Sequence, residues 1–407
     1  MTTSTSTPVI TEDTIRHISE EAKEPAWLLE RRLEALRAYN TMAMPDPLEE
    51  EWRRTDLSDF DLDGDLRWDG SLAAAFIGDG LPHNVTFTDL SGAAVDHEAL
   101  VREHLHSLVR PTEWKLGALQ AAAWQNGAFL YVPRGVEVEV PLTYEMSGSG
   151  SPVAPHLLIV AEEGSSVTVL QNAYSADITS QCLVTGAVEI IAKQDARVHF
   201  VELQTWGKNV YAFSTVRARL ERGAQLTAGL IGLGGRLTKT RLEVELAGEG
   251  ASAELLGLTY GDASQHFDYI TLQDHVAPRT SSDLMFKAAL DGASSEVWTG
   301  TVRIQKGAGG SEANQTSRNL LLSPEAKAAP IPVLEIEAYD IQRCSHGASA
   351  GPLDEEQRFY LEARGIPPAE AERLLVDAFF QQVIDLLPSD HIREHVERAL
   401  AAKIGGV

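Results

Sequence analysis

Between Gly127 and Ile336 the chain is punctuated at a nearly constant interval. Short polar turns fall at positions 164, 195, 223, 250, 278 and 309, separated by 31, 28, 27, 28 and 31 residues, and the turn at Gly292 lies about midway through the last step. The runs between these turns alternate apolar and polar residues with period two, as in Val136–Leu142, Leu157–Ala161, Val167–Gln171, Val184–Ile191 and Val198–Leu203. No amphipathic helix interrupts them. A repeat of about 29 residues, with a half-repeat near 14, predicts a mainly β chain built as a solenoid. Each coil would carry two strands and bury its inner face only when neighbours stack on it. The competing reading is an antiparallel sandwich with a turn about every 8–12 residues. A solenoid leaves two open ends, and helical flanks are expected to cover them.

Those flanks are visible as changes of period. Residues 1–11 read as a disordered tail, and one helix is expected from Ile15 to about Met44, with Trp27, Leu28, Leu29, Leu33, Leu36 and Tyr39 recurring at helical steps. Glu49 to Trp68 is acidic and weakly periodic, and two further helices are expected at 94–108 and 114–124, so the front third reads as a helical cap with a little sheet. After Gly351 helical spacing returns. One helix starts at Leu353 and is stopped by Gly365, Pro367-Pro368 opens a second, and 389–402 forms a third. The expected domains are 1–112, 113–345 and 346–407. The last is too small to supply much core, so part of its apolar face should dock elsewhere.

Composition excludes several functions. Against 34 Lys and Arg stand 59 Asp and Glu, a net charge of −25 with no basic stripe, which argues against nucleic acid and anionic membranes as partners. No stretch offers 18 uninterrupted apolar residues, and Met1 to Thr11 has neither a basic start nor an apolar run. Two cysteines, Cys182 and Cys344, cannot build a cluster or structural zinc site alone. Thiol scarcity fits a reducing compartment, and a cytoplasmic location is expected.

Three motifs carry possible chemistry. Gly347-Ala348-Ser349-Ala350-Gly351 fits the elbow that presents a serine nucleophile, but that fold needs further strand–helix units, and a flexible small-residue loop is the better expectation. His391-Ile392-Arg393-Glu394-His395 places two histidines on one helix face, yet a catalytic zinc needs a third ligand, so a solvated face is expected; His104 and His106 are weaker still. No phosphate-binding loop is present, so the chain is expected to bind no nucleotide itself. The remaining constellation is Arg343-Cys344-Ser345-His346-Gly347. At i, i+2 on an extended segment, thiolate and imidazole face one side and form half of a soft-metal site for another subunit to complete. The bland alternative is a buried cysteine beside a turn histidine.

This segment, continuing through Pro352-Leu353-Asp354-Glu355-Glu356-Gln357-Arg358-Phe359-Tyr360-Leu361 and Arg364-Gly365-Ile366-Pro367 to Leu374-Leu375, resembles the SufB/SufD family of iron–sulfur cluster assembly proteins. Glu24-Pro25-Ala26-Trp27-Leu28-Leu29-Glu30-Arg31-Arg32, Gly127-Ala128-Phe129-Leu130-Tyr131-Val132-Pro133-Arg134-Gly135 and Gln315-Thr316-Ser317-Arg318-Asn319 extend the resemblance over nearly the whole chain. The Cys-Ser-His-Gly form and the scarcity of cysteine resemble the SufD branch rather than the SufB branch. One departure is Pro352, where the family often has glutamine.

The resemblance implies a right-handed parallel β-helix between helical domains. It implies a SufB-like partner on the core and a SufC-like ATPase on the C-terminal helices, with Ile366, Pro367, Leu374, Leu375 and Phe379 as candidate contacts. His346 matches the histidine that SufD offers opposite a SufB cysteine, where a transient iron–sulfur cluster forms, and Cys344 is its family neighbour. Cys182 is expected to be structural. The expectation is therefore a non-enzymatic scaffold, with a homodimer plausible for the chain alone. Two other classes stay open. One is a metal-free solenoid adaptor, and the other is a polysaccharide-acting β-helix enzyme, for which Asp262, Asp268 and Asp274 are the available carboxylates.

Overall fold

The computed structural model describes residues 10–62, 68, 73–78 and 80–405. Helices α1 (Glu12–Glu21) and α2 (Ala26–Thr41) precede strands β1 (Ala73–Ile77) and β2 (Thr86–Asp89) and helices α3 (Leu90–Asp96), α4 (Glu98–His104) and α5 (Lys115–Ala123). An unbroken series of strands follows: β3 (Ala128–Val132), β4 (Leu142–Gly148), β5 (His156–Ala161), β6 (Ser166–Ser175), β7 (Cys182–Ala192), β8 (Arg197–Thr205), β9 (Val210–Leu220) and β10 (Gln225–Gly232). It continues with β11 (Leu237–Leu246), β12 (Ser252–Gly261), β13 (His266–His275), β14 (Ser281–Leu290), β15 (Ser295–Ile304), β16 (Glu312–Leu321), β17 (Lys327–Ile336) and β18 (Arg343–Pro352). Helices α6 (Glu355–Glu362), α7 (Pro368–Ile384) and α8 (Asp390–Gly405) close the described chain.

The strands form a parallel solenoid. Odd strands β3 to β17 stack in one sheet and even strands β4 to β18 in a second, each completed to nine strands by an antiparallel addition, β2 on the odd sheet and β1 on the even. Turn residues recur in the left-handed region at Gly164, Asp195, Gly223, Gly250, Arg279 and Gly310, so the interval read from the sequence is the pitch of the coil. Inward side chains such as Phe200, Leu230, Leu255, Phe286 and Trp298 fill the lumen. Each buries on the order of 1.5–3 kcal/mol of apolar transfer energy, which no single coil could realise unstacked.

Helices cover the outer faces rather than the ends. Leu116, Leu119 and Ala122 of α5, backed by Ala35 and Leu36 of α2, pack on the outward Leu183, Tyr211, Phe213 and Leu237 of the odd sheet. Arg32 locks this cap: its guanidinium pairs with Glu24, donates to the carbonyls of Ala122 and Trp124, and lies 4.0 Å from the Trp124 ring centroid. On the even sheet, Val376, Phe380, Val383 and Leu387 of the α7 segment and Ile392 and Val396 of α8 cover Leu170, Val201, Leu256 and Leu258. Among the described residues the last coil is left uncovered, with β17 and β18 as the terminal strands of their sheets, which corrects the expectation that flanking helices close both ends.

Local boundaries differ from the sequence reading for identifiable reasons. The helix expected from Ile15 to Met44 is two, because Lys23 turns left-handed and Pro25 supplies no backbone donor. Residues 1–9 of the expected tail lie outside the described residues, but Ile10 is buried and Thr11 caps α1 through Thr14, so the end of that segment is ordered. The helix expected at 94–108 is α3 and α4, divided at His97. The segment Gly347–Gly351, expected as a loop, lies inside β18, which runs through the boundary placed between 345 and 346.

Candidate functional site

The uncovered coil sets the candidate site. β17 and β18 are the terminal strands of their sheets and pair with no described strand on their outer edges. β18 lies parallel to β16 with Ala313 opposite Cys344, Gln315 opposite His346, Ser317 opposite Ala348 and Asn319 opposite Ala350. Ala313 belongs to a buried lumen cluster with Val302 and Ile304, and Cys344 packs against it. Strand alternation therefore puts His346 on the inward column as well. With no further coil above it, His346 is exposed, whereas Gln315 one rung below is fully buried. Burial pushes the Cys344 thiol above its ordinary value, and the Ser345 hydroxyl meets Asn314 Oδ1 at 2.8 Å, fixing the strand between the two.

Extended geometry thus brings Cys344 and His346 to one face, as the i, i+2 spacing predicts. Ser349 sits within the same strand and not on a strand-to-helix elbow, so the G-x-S-x-G match does not form a nucleophile elbow. The small residues Gly347, Ala348, Ser349 and Ala350 keep the rim low and exposed. Among the described residues, no third metal donor groups with Cys344 and His346.

His391 and His395 stack on α8 with ring centroids 4.3 Å apart, and His395 Nδ1 lies 2.8 Å from the His391 carbonyl. No third donor groups with them among the described residues, and His391 is exposed while His395 is half-buried. The three carboxylates named above do not converge: Asp268 pairs with Lys239 and Thr55, Asp262 with Lys403 and Asp274 with Gln305.

A cluster that spacing did not reveal joins His106, His156 and Glu189, whose donor atoms lie within 4.8 Å of one another. It is a clamp on the loop after α4. Glu189 Oε1 accepts from the backbone N–H of Leu108 at 2.7 Å and Val109 at 3.0 Å, and Oε2 accepts from the N–H of His106 at 2.6 Å. His156 Nε2 donates to Oε2 at 3.0 Å, while Gln120 Nε2 reaches His156 Nδ1 at 3.2 Å, which assigns the imidazole proton to Nε2. Both His156 nitrogens and both Glu189 oxygens are thus committed to the fold. Burial works to raise the Glu189 pKa, but the His156 bond and the backbone donors outweigh it and hold the carboxyl below its usual range. Burial drives the His106 imidazole down to about 3.

Cys182 faces the lumen from β7, its Sγ 3.1 Å from the Ser151 carbonyl, and burial pushes its thiol up to about 12. That environment suits an inert structural cysteine.

The C-terminal helices sort the candidate docking residues. Leu374 is 38% exposed and Pro367 is exposed, while Ile366 and Leu375 are half-buried. Phe379 is turned toward its own chain: Lys287 Nζ lies 4.4 Å from its ring centroid and donates to its carbonyl at 2.7 Å. Sequence reasoning did not single out Phe359 and Tyr360, which are 71% and 57% exposed on α6, a helix with no buried residue. Two adjacent aromatics on such a helix were the available signal.

The described chain is thus a parallel β-solenoid whose last strand carries Cys344 and His346 and whose outer faces are covered by helices. The chain matches the family model described as SUF system FeS cluster assembly, SufBD core domain, over residues 144–379, and that of the SufBD protein N-terminal region over residues 73–143. It is similar to iron–sulfur cluster assembly SufBD family proteins of Staphylococcus haemolyticus and Staphylococcus epidermidis, each 28% identical over 95% of this chain and 91% of the relative. A Staphylococcus aureus relative is 27% identical over the same shares. The chain therefore belongs to the SufBD family of iron–sulfur cluster assembly proteins.

Proposed function

We propose that this chain is the SufD-type subunit of a cytoplasmic iron–sulfur cluster assembly complex and acts as a non-enzymatic scaffold. Its open coil pairs with a SufB-like subunit, and His346, with Cys344 beside it, offers an incomplete coordination sphere to a nascent cluster at that seam. The observation that carries this reading is that both sheets end, at β17 and at the His346-bearing β18, on edges that pair with no described strand. Such edges are templates for pairing with another chain. An imidazole is a neutral ligand and a single thiolate a partial one, which suits a cluster that must leave. A SufC-like ATPase supplies the nucleotide chemistry for which this sequence has no loop, docking on Phe359, Tyr360 and Leu374.

Anaerobic co-expression with SufB-like and SufC-like partners tests the ligand role. His346→Ala should leave the complex intact on gel filtration and cut bound iron and sulfide at least tenfold. Unchanged iron and sulfide would reject it. The docking role needs substitutions rather than truncation, because removing α7 and α8 would strip Phe380 and Val383 from the even sheet. Phe359→Glu with Tyr360→Glu should weaken capture of the ATPase by more than tenfold. Retained binding would place the contact elsewhere.

A further inference from the structure

We infer that Gln315 fixes the tautomer and orientation of the His346 imidazole. This deepens the role proposed for His346 and rests on it for its functional consequence. Gln315 lies on β16, directly opposite His346 in the parallel ladder, on the same inward column. Its side chain is 0% exposed, yet neither Oε1 nor Nε2 has a hydrogen-bond partner. Unpaired buried amides are costly and therefore rare, so a position that retains one needs a polar neighbour that can complete it.

The ladder limits where that neighbour can be. Within its own sheet the rung below Gln315 is Leu284, which offers no polar atom, and the rung above is His346; from the opposite sheet Gln273, which reaches the Asn314 carbonyl, and Trp298 also carry buried polar atoms without a partner. Along its own strand the inward neighbours are Ala313, which has no polar side-chain atom, and Ser317, whose hydroxyl accepts from Asn319 Nδ2 at 3.4 Å and makes no bond to Gln315. A rotation about the Gln315 terminal torsion brings Oε1 to the imidazole of the next rung, where it accepts the N–H of one ring nitrogen. The other nitrogen then carries the lone pair and faces the open seam. This is the arrangement that orients metal-binding histidines generally: one ring nitrogen donates to a fixed acceptor and the other is left to the metal. Gln315 is thus a positioning residue, acting through His346.

The test uses the full chain with nitrogen-15-labelled histidine. His346 resonances are assigned by their loss in His346→Ala, and the tautomer ratio is read from the ring nitrogen shifts. Gln315→Glu keeps an acceptor at the same reach, whereas Gln315→Leu keeps the bulk and removes it. The ratio should stay the same in wild type and Gln315→Glu and change by about fivefold or more in Gln315→Leu, the size of one net hydrogen bond. Equal ratios in all three would overturn the inference, and Gln315→Met makes the same comparison should the leucine variant not melt cooperatively.

A second arm uses the co-expressed complex. Gln315→Leu should lower cluster yield about 10-fold to 100-fold, with recovery in Gln315→Glu. If His346→Ala abolishes the cluster while Gln315→Leu leaves it unchanged, the positioning role is overturned and the ligand role stands. If His346→Ala itself assembles cluster normally, the ligand role fails and the tautomer measurement alone decides what Gln315 does.

Discussion

Glu189→Ala lowers the unfolding free energy by about 3–5 kcal/mol, the summed cost of leaving several donors of a buried carboxylate without a partner. One carboxylate serves three backbone N–H groups and an imidazole, all within 3.0 Å. Removing it leaves those donors without their acceptor in the loop after α4, where the Val109 and His156 donors are buried. His106 is held with φ at 61°, a left-handed conformation that a non-glycine residue keeps only when its surroundings enforce it. The loss should therefore be local as well as global. Hydrogen exchange at the Leu108 and Val109 amides should accelerate far more than exchange in the distant coils, while His156→Ala, which removes one of the four donors, should cost less. Urea unfolding of the two variants checks the order; a Glu189→Ala midpoint indistinguishable from wild type would show that the clamp carries no stability.

The second large effect is a fall in stability with rising pH that originates inside the solenoid. Burial raises the carboxyl groups of Glu202 and Glu296 from an ordinary value of 4.5 to about 7. Each also has an Oε2 without a partner. The folded state therefore binds these protons more tightly than the unfolded chain does. Their contribution is complete below about pH 4.5 and is lost as pH rises through 7, at most about 3 kcal/mol for each group. Buried neutral imidazoles act oppositely: His106 and His275, lowered to about 3 and 4, make stability rise with pH up to about 6.5. The carboxyl contribution is isolated by difference. The gap between wild type and Glu202→Gln with Glu296→Gln should widen in favour of the variant from pH 5 to pH 8 and then level off. Parallel curves over that range would mean that the two carboxyls ionise normally.

The coil interval, the placement of helices on both sides of it and the shared face of Cys344 and His346 could all be read along the chain, since each is a property of residues near one another in sequence. Turn spacing fixes a coil length, and period-two alternation fixes which side chains face inward. The extension of β18 through Gly347–Gly351 could not be read, because five small residues carry no alternation of their own and are held extended by pairing with β16. The clamp was equally hidden. His106, His156 and Glu189 come from three segments that only the wrapping of the cap over the odd sheet brings together.

The same division separates the two halves of the proposed site. The residue types at 344 and 346 and their common side were determined by the amino-acid sequence, because strand geometry is local. That this rung is the last one, bare at its edge with a buried and unpaired Gln315 beneath it, was decided only by the tertiary structure. Whether a coil has a neighbour, and where the covering helices stop, depends on how the whole stack packs.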